Sequence, residues 1–95
     1  MMRPQELQAI AAALGGLPIW GVLPHSAAAR AGVRYGDIVL RVNGFETRTM
    51  SEFIIAHESN PERLDLDLFR DGKLLKVQVQ LRAAKRAAAE VAALN

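Results

Sequence analysis

The stretch VLPHSAAARAGVRYGDIVLRVNG, Val22–Gly44, decides the fold because it encodes a helix, a turn and a strand in immediate succession. Ser26 is a helix-capping residue placed directly before a run of alanines, which predicts a short helix over Ala27–Ala31. Gly32 stands where the end of a helix favours a left-handed residue. The chain is therefore expected to leave this helix abruptly and reverse its direction.

The second half of the same stretch predicts a buried strand. Gly36–Asp37 is a pair typical of tight turns, and the apolar run Ile38–Val42 follows it at once. Asn43–Gly44 is a second turn pair and ends the strand.

The residues before this stretch predict a helix and an edge strand. Pro4 is tolerated in the first turn of a helix, so a helix is predicted to begin there and to end at Gly15–Gly16. Within it, apolar residues recur at helical spacing, namely Leu7, Ile10, Ala11 and Leu14. Leu17–Leu23 reads as a strand that pairs with Ile38–Val42, and Pro18 near its start favours an edge position.

The residues after it predict a second helix. Phe45–Arg48 is a short extended piece. Thr49 and Glu52 then have the spacing of a capping box, in which each residue satisfies a free amide at the helix start. The helix is expected to run to about Ser59, and Asn60–Pro61 ends it.

The last part of the pattern predicts a β-hairpin. Leu64–Phe69 and Leu74–Leu81 both alternate apolar with polar residues, and Asp71–Gly72 between them is a two-residue hairpin turn. Asp65 and Asp67 fall on one face of the first strand, which indicates a solvated face. Polar residues of the second strand are expected opposite them: Lys76, Gln78 and Gln80.

Composition limits the function classes. A chain of 95 residues holds one small domain, and without cysteine it has neither disulfides nor thiolate chemistry. The net charge is only +2, with basic and acidic residues interspersed, which argues against nucleic-acid binding. The uncharged run Leu7–Leu23 is too short, and too interrupted by Gly and Pro, to span a membrane, and the start lacks the layout of a signal peptide. We therefore expect a cytoplasmic protein, or a periplasmic one if the chain comes from a longer exported protein.

Other chemistry finds no support in the residues. His25 and His57 are the only histidines and lie far apart, with no carboxylates spaced as a metal site requires. The serines are placed as caps or in turns, and none has a plausible base beside it. We expect no enzymatic activity, no metal and no cofactor.

The order of these pieces resembles PDZ domains, particularly the bacterial kind attached to proteases and secretion proteins. There a helix of small residues leads through AG(L/V)xxGD into IVLxVNG, as Ala31–Gly44 does here. The hairpin LDLDLFRDGKLLKVQVQL is similar to the close of these domains, and ETRTMSEFIIAHES stands at the place of their groove helix. The resemblance covers Leu17–Leu81, most of the chain.

The resemblance implies an α+β fold, a small, partly open antiparallel β-barrel or sandwich with two helices. The residues themselves, not the resemblance, predict a further helix at each end of this fold. We accordingly predict an N-terminal helix at 1–14, a PDZ-like domain at 15–82 and a C-terminal helix at 83–95. Alanine-rich composition predicts the last helix, with a narrow apolar stripe of Ala84, Ala88, Val91 and Leu94.

For function, the resemblance implies a module that binds a protein C-terminus or an extended peptide by strand addition beside the second helix. The candidate binding residues are Gly15, Gly16, Leu17, Pro18, Ile19, Trp20, Met50, Ile54 and His57. Gly15–Gly16 would supply amides for a terminal carboxylate; the alternative is that they only cap the first helix. Phe53 is assigned to the core. Ile54 is either a groove or a core residue, and Trp20 is either a core residue or an exposed contact.

One departure from the family bears on this function. Most bacterial members have two strands before the small-residue helix, the first of which carries the docking edge, whereas this chain has room for only one after Gly16. The docking strand would then be missing, and the N-terminal helix could lie over its site. The alternative function is therefore self-assembly as a homodimer through the flanking helices, without peptide binding.

Overall fold

The computed structural model describes residues 2–81, which form an α+β fold of one antiparallel sheet and three helices. The elements in chain order are α1 (Pro4–Leu14), β1 (Leu17–Pro18), α2 (Ala27–Arg30), β2 (Ile38–Val42), β3 (Phe45–Glu46), α3 (Met50–Ser59), β4 (Arg63–Arg70) and β5 (Lys73–Gln80). The strands are ordered β1-β2-β4-β5, and β3 pairs with β2. The predicted fold class is confirmed, and within residues 2–81 the sheet is not closed into a barrel. The predicted C-terminal helix lies outside the described residues.

The caps of α2 and α3 form as the sequence predicts. Ser26 Oγ accepts a hydrogen bond from the Ala29 amide at 3.1 Å, and Thr49 Oγ1 accepts one from the Glu52 amide at 3.2 Å. The Glu52 carboxylate reaches back and accepts from the Arg48 amide at 3.0 Å. This backbone hydrogen bond lowers the pKa of Glu52. None of the helices within residues 2–81 is long and apolar enough to cross a membrane.

The predicted hairpin forms β4 and β5. Asp71 and Gly72 both adopt left-handed conformations, with φ of 50° and 77°, as a tight two-residue turn requires. Asp67 lies opposite Lys76 in the register, and Lys76 Nζ stands 3.8 Å from Asp67 Oδ1. The polar face of the hairpin is therefore charge-balanced, as expected.

Each face of the sheet buries its own apolar cluster. On one face Val39, Leu68 and Val79 pack with Ala56 of α3, and the small side chains of α2 pack against the same cluster. Because neighbouring residues of a strand point to opposite faces, Ile38 points the other way. It packs against Leu7 and Ala11 of α1.

Helix α1 covers the face of the sheet opposite α3. Leu7 and Ala11 of α1 pack directly on Ile38, and Leu40 and Phe69 border that contact. The N-terminal helix is thus a third layer of the domain. It therefore does not lie over the edge beside α3, the site of the missing docking strand that we expected it could cover.

Gly16 permits this packing because it lies against β2 with no room for a side chain. A Cβ atom at Gly16 would stand 2.6 Å from Ile38 Cγ2 and 2.7 Å from the Val39 carbonyl oxygen. We expect Gly16→Ala to lower the free energy of unfolding by about 1–3 kcal/mol, measured by denaturant titration. Gly21→Ala is the matched control: nothing lies within 4 Å of its Cβ position, so its effect should stay within about 0.5 kcal/mol. Equal losses for the two variants would contradict the close contact.

A buried ion pair ties the turn before β2 to the end of β4. The Asp37 side chain is 1% exposed, and Arg70 binds it through two hydrogen bonds of 2.7 Å, Nε to Oδ1 and Nη2 to Oδ2. Arg70 Nη2 also donates to the Gly32 carbonyl at 2.7 Å, and Asp37 Oδ2 accepts from the Arg34 amide at 3.0 Å. The hydrogen bonds to Asp37 raise the pKa of Arg70. The sequence marks Asp37 only as a turn residue; its partner comes from the fold.

Candidate functional site

The edge of the sheet at β1 ends sooner than predicted. Strand pairing with β2 covers only Leu17–Pro18, and two further hydrogen bonds continue it: the Ile19 amide donates to Asp37 O at 2.8 Å, and Ile19 O accepts from the Gly36 amide at 3.0 Å. An antiparallel partner for the next residues would have to be the turn that precedes Asp37. Since that turn is not extended, the strand predicted over Leu17–Leu23 stops at its third residue.

The segment beyond it, Trp20–Leu23, leaves backbone groups unpaired. Within residues 2–81, Trp20, Gly21 and Val22 make no backbone hydrogen bond to another residue. Unpaired amides and carbonyls along a sheet edge are a template for another strand. We call Trp20–Leu23 the open edge.

An apolar groove runs along the open edge. Its volume is about 430 Å³, and it lies between the open edge, α2, α3 and the β4–β5 hairpin. The residues lining it are mainly apolar and include Ile19, Val22, Leu23, Phe53, Leu64, Leu66 and Val79. Phe53 packs against the core, as predicted, and contributes to the groove at the same time. Backbone donors and acceptors therefore stand directly beside a surface suited to apolar side chains.

The exposed apolar stripe of α3 flanks Phe53. Met50 is 61% and Ile54 50% exposed, and His57 is half-buried. Helical spacing places the three on one side of the helix. Of the two alternatives for Ile54, the core position is excluded by this exposure. Trp20 likewise is 51% exposed, so it is not a core residue.

The remaining candidate residues are Gly15–Gly16 and Leu17–Ile19. The two glycines end α1, and the other three form the start of the β1 edge. Gly15 has a φ of +69°, its amide donates to Ala12 O at 3.3 Å, and the Gly16 amide donates to Ala11 O at 2.9 Å. The structure thus shows the capping role for this pair. Leu17 and Ile19 pack against the core. Pro18, between them, pairs with Ile38 at the edge of the sheet.

A second cavity of about 430 Å³ lies near the end of α1 and is lined in part by Leu14, Leu40 and Leu74. Its charged rim is paired internally: Arg41 stands 4.0 Å and Lys76 3.8 Å from Asp67. Of the strands beneath it, β2 and β4 have neighbours on both sides, and β5 is the end strand of the sheet. The groove at the open edge is the better candidate because it combines unpaired backbone with a mainly apolar lining and adjoins α3.

The candidates predicted from the sequence include Trp20 of the open edge, Ile19 of the groove and the stripe of α3, but not the other residues of the groove. The groove residues Val22, Phe53 and Leu64 were assigned only to strands and core. A signal was nevertheless present, since Leu17–Leu23 outruns the partner that starts at Ile38. Once the register of Leu17 with Val39 is known, the positions of Gly15–Gly16 and Gly36–Asp37 show which residues of the predicted strand extend beyond its partner.

Known proteins share sequence with most of this chain. A family model described as PDZ domain matches residues 19–69. The chain is 37% identical over 70 residues to a probable periplasmic serine endoprotease DegP-like of a Marinomonas species, a match covering 72% of this chain and 15% of that protein. It is 34% identical over 70 residues to the regulator of sigma-W protease RasP of Bacillus subtilis, covering 72% and 17%.

A third relative is the periplasmic pH-dependent serine endoprotease DegQ of Escherichia coli, 40% identical over 62 residues, which covers 63% of this chain and 14% of that protein. The chain spans 14–17% of the length of these three relatives.

Proposed function

Because the chain belongs to the PDZ domain family, whose members are in general protein-interaction modules, we propose that it binds an extended peptide as an added strand along the open edge, beside α3. The observation that carries the proposal is the row of unpaired backbone groups at Trp20–Val22, next to an apolar groove. The names of its relatives describe much longer proteins, and a PDZ domain is not itself a catalytic unit. Binding, not catalysis, is the role proposed for this chain.

Main-chain hydrogen bonds would supply affinity in this mode, and side chains would supply selectivity. Every second residue of an added strand faces the same side, so alternate ligand residues would enter the groove beside Phe53. Met50 and Ile54 offer further apolar contact along the helix. His57 on the same stripe offers a polar contact to a ligand side chain.

Self-assembly through α1 receives less support. Leu7 and Ala11, two of the four apolar positions predicted for the N-terminal helix, are buried against Ile38 of the same chain and are not available to a second copy. The other flanking helix, predicted at 83–95, lies outside the described residues.

A peptide library tests the proposal. Random decapeptides would be displayed in two formats, one with a free C-terminus and one followed by a glycine-serine linker, and selected on the intact protein. Enriched peptides free of tryptophan would then be titrated while the fluorescence of Trp20, the only tryptophan, is recorded. Because Trp20 lies half-exposed on the open edge, we expect binding at micromolar Kd with a blue shift of its emission. Failure of both formats to yield a binder would contradict the proposal.

The position of the ligand is tested by a pair of neighbouring isoleucines on α3. Ile54 and Ile55 are 50% and 60% exposed, but successive helix residues point about 100° apart, so only Ile54 shares a stripe with Met50 and His57. We expect Ile54→Lys to weaken an enriched peptide at least about tenfold, which is about 1.4 kcal/mol, and Ile55→Lys to change Kd less than twofold. Equal effects would place the ligand elsewhere.

A further inference from the structure

We infer that the ligand of the open edge is an internal extended segment with alternating apolar side chains, bound without recognition of a terminal carboxylate. The inference rests on the proposed function and narrows its partner class. Three features of the segment between α1 and the open edge carry it.

The first feature is that the amides of this loop are occupied. Both glycine amides donate to carbonyls of α1, Gly15 to Ala12 O and Gly16 to Ala11 O. A carboxylate could recruit them only by opening the cap of α1. The next residues offer no ready replacement, because Leu17 lies in the ladder opposite Val39, Pro18 has no amide proton, and the Ile19 amide donates to Asp37 O at 2.8 Å.

The second feature is the direction of α1. The helix ends at Leu14, directly before the glycine pair, so the loop lies at its C-terminus. The carbonyl end of a helix carries partial negative charge, which disfavours an anion at this place. A carboxylate-binding loop needs the opposite polarity.

The third feature is the state of the cation that lies against the loop, Arg48. A Cβ atom on Gly15 would stand 3.6 Å from Arg48 Cγ, so the Arg48 side chain passes beside the loop. Its guanidinium is flanked by two carboxylates: Nε stands 3.9 Å from Glu46 Oε2, and Nη2 3.5 Å from Glu52 Oε2. The cluster thus holds one positive and two negative charges, so it offers no net attraction to a ligand carboxylate.

The chemistry of the groove defines what is recognised instead. Val22, Phe53, Leu64 and Val79 line it, so it selects apolar side chains spaced two residues apart. The open edge supplies backbone pairing along the ligand and requires no chain end. A loop strand or an extended linker of another protein meets both conditions.

The experiment compares enriched decapeptides in three forms on the intact protein: with a free C-terminal carboxylate, with a C-terminal amide, and extended at the C-terminus by four glycine-serine residues. We expect the three Kd values to agree within twofold, and the linker format of the library to yield binders at least as readily as the free format. A tenfold or greater preference for the free carboxylate would overturn the inference while leaving strand addition intact. If no form binds, the proposed function fails, and the inference with it.

Arg48→Gln serves as the matched variant, because it removes the cation beside the loop and leaves the groove untouched. The ratio of acid to amide Kd should stay near one in this variant as in the parent protein. A preference for the acid that disappears on this substitution would identify Arg48 as a carboxylate-binding residue and overturn the inference.

Discussion

Arg70→Leu should lower the free energy of unfolding by about 3–5 kcal/mol, since it leaves the Asp37 carboxylate buried with no cation. Desolvation of an ion is tolerated only when its partner and hydrogen bonds are in place. Arg70 supplies two hydrogen bonds to that carboxylate and a third to the Gly32 carbonyl. Denaturant titration measures the loss, provided that the slope of unfolding free energy against denaturant concentration is unchanged.

The matched control for this prediction is Arg41→Leu. Arg41 also faces an aspartate across the sheet, but the atoms stand 4.0 Å apart and the Arg41 side chain is 57% exposed. Exposed pairs contribute little, so we expect a loss of less than about 1 kcal/mol. Combining Arg70→Leu with Asp37→Asn should recover part of the loss, because the uncompensated charge is then gone. A loss for Arg70→Leu no larger than that for Arg41→Leu would refute the role of the buried pair.

Leu7→Ala is the second substitution with a large expected effect, about 2–5 kcal/mol of unfolding free energy. Leu7 lies on the face of α1 that packs on Ile38 and is fully buried, so truncating its side chain removes apolar contact and leaves a cavity beneath the helix. Leu14→Ala on the same helix is the control, because Leu14 is 43% exposed and should lose less than about 1 kcal/mol. Thermal and denaturant unfolding both report the difference. Similar losses at the two positions would mean that α1 is not docked as a layer of the domain.

The same variant separates two views of α1. If the helix packs on the face opposite α3, loosening it leaves peptide affinity at the open edge unchanged, within about twofold, under conditions where the variant is folded. If the helix instead shielded the docking edge, Leu7→Ala would strengthen binding. Titration of an enriched peptide by Trp20 fluorescence decides between these outcomes.

The candidate site was predictable in part. The stripe of Met50, Ile54 and His57 follows from helical spacing alone, and its exposure agrees with a surface role. The use of the amides of Gly15–Gly16 was not predictable, because a glycine pair after a helix serves equally as a cap or as an anion-binding loop. Only the hydrogen bonds of the folded chain distinguish these two roles.

Local chemistry was sufficient to specify the helices and the hairpin of the described residues. Ser26 and Thr49 start helices α2 and α3, and Asp71–Gly72 turns the hairpin, because caps and turns involve residues only a few positions apart. Alternation of apolar residues in the two hairpin strands likewise defines their buried face without reference to the rest of the chain. These signals are also the ones that carry the resemblance to PDZ domains.

Tertiary structure decided what depends on residues distant in sequence. Asp37 and Arg70 are 33 positions apart, and neither signals the other in the sequence. An apolar stripe such as that of α1 fits either face of a sheet, so the contact of Leu7 with Ile38 appears only when the chain is packed. The open edge arises in the same way, because the pairing register of β1 with β2 determines where the partner strand runs out.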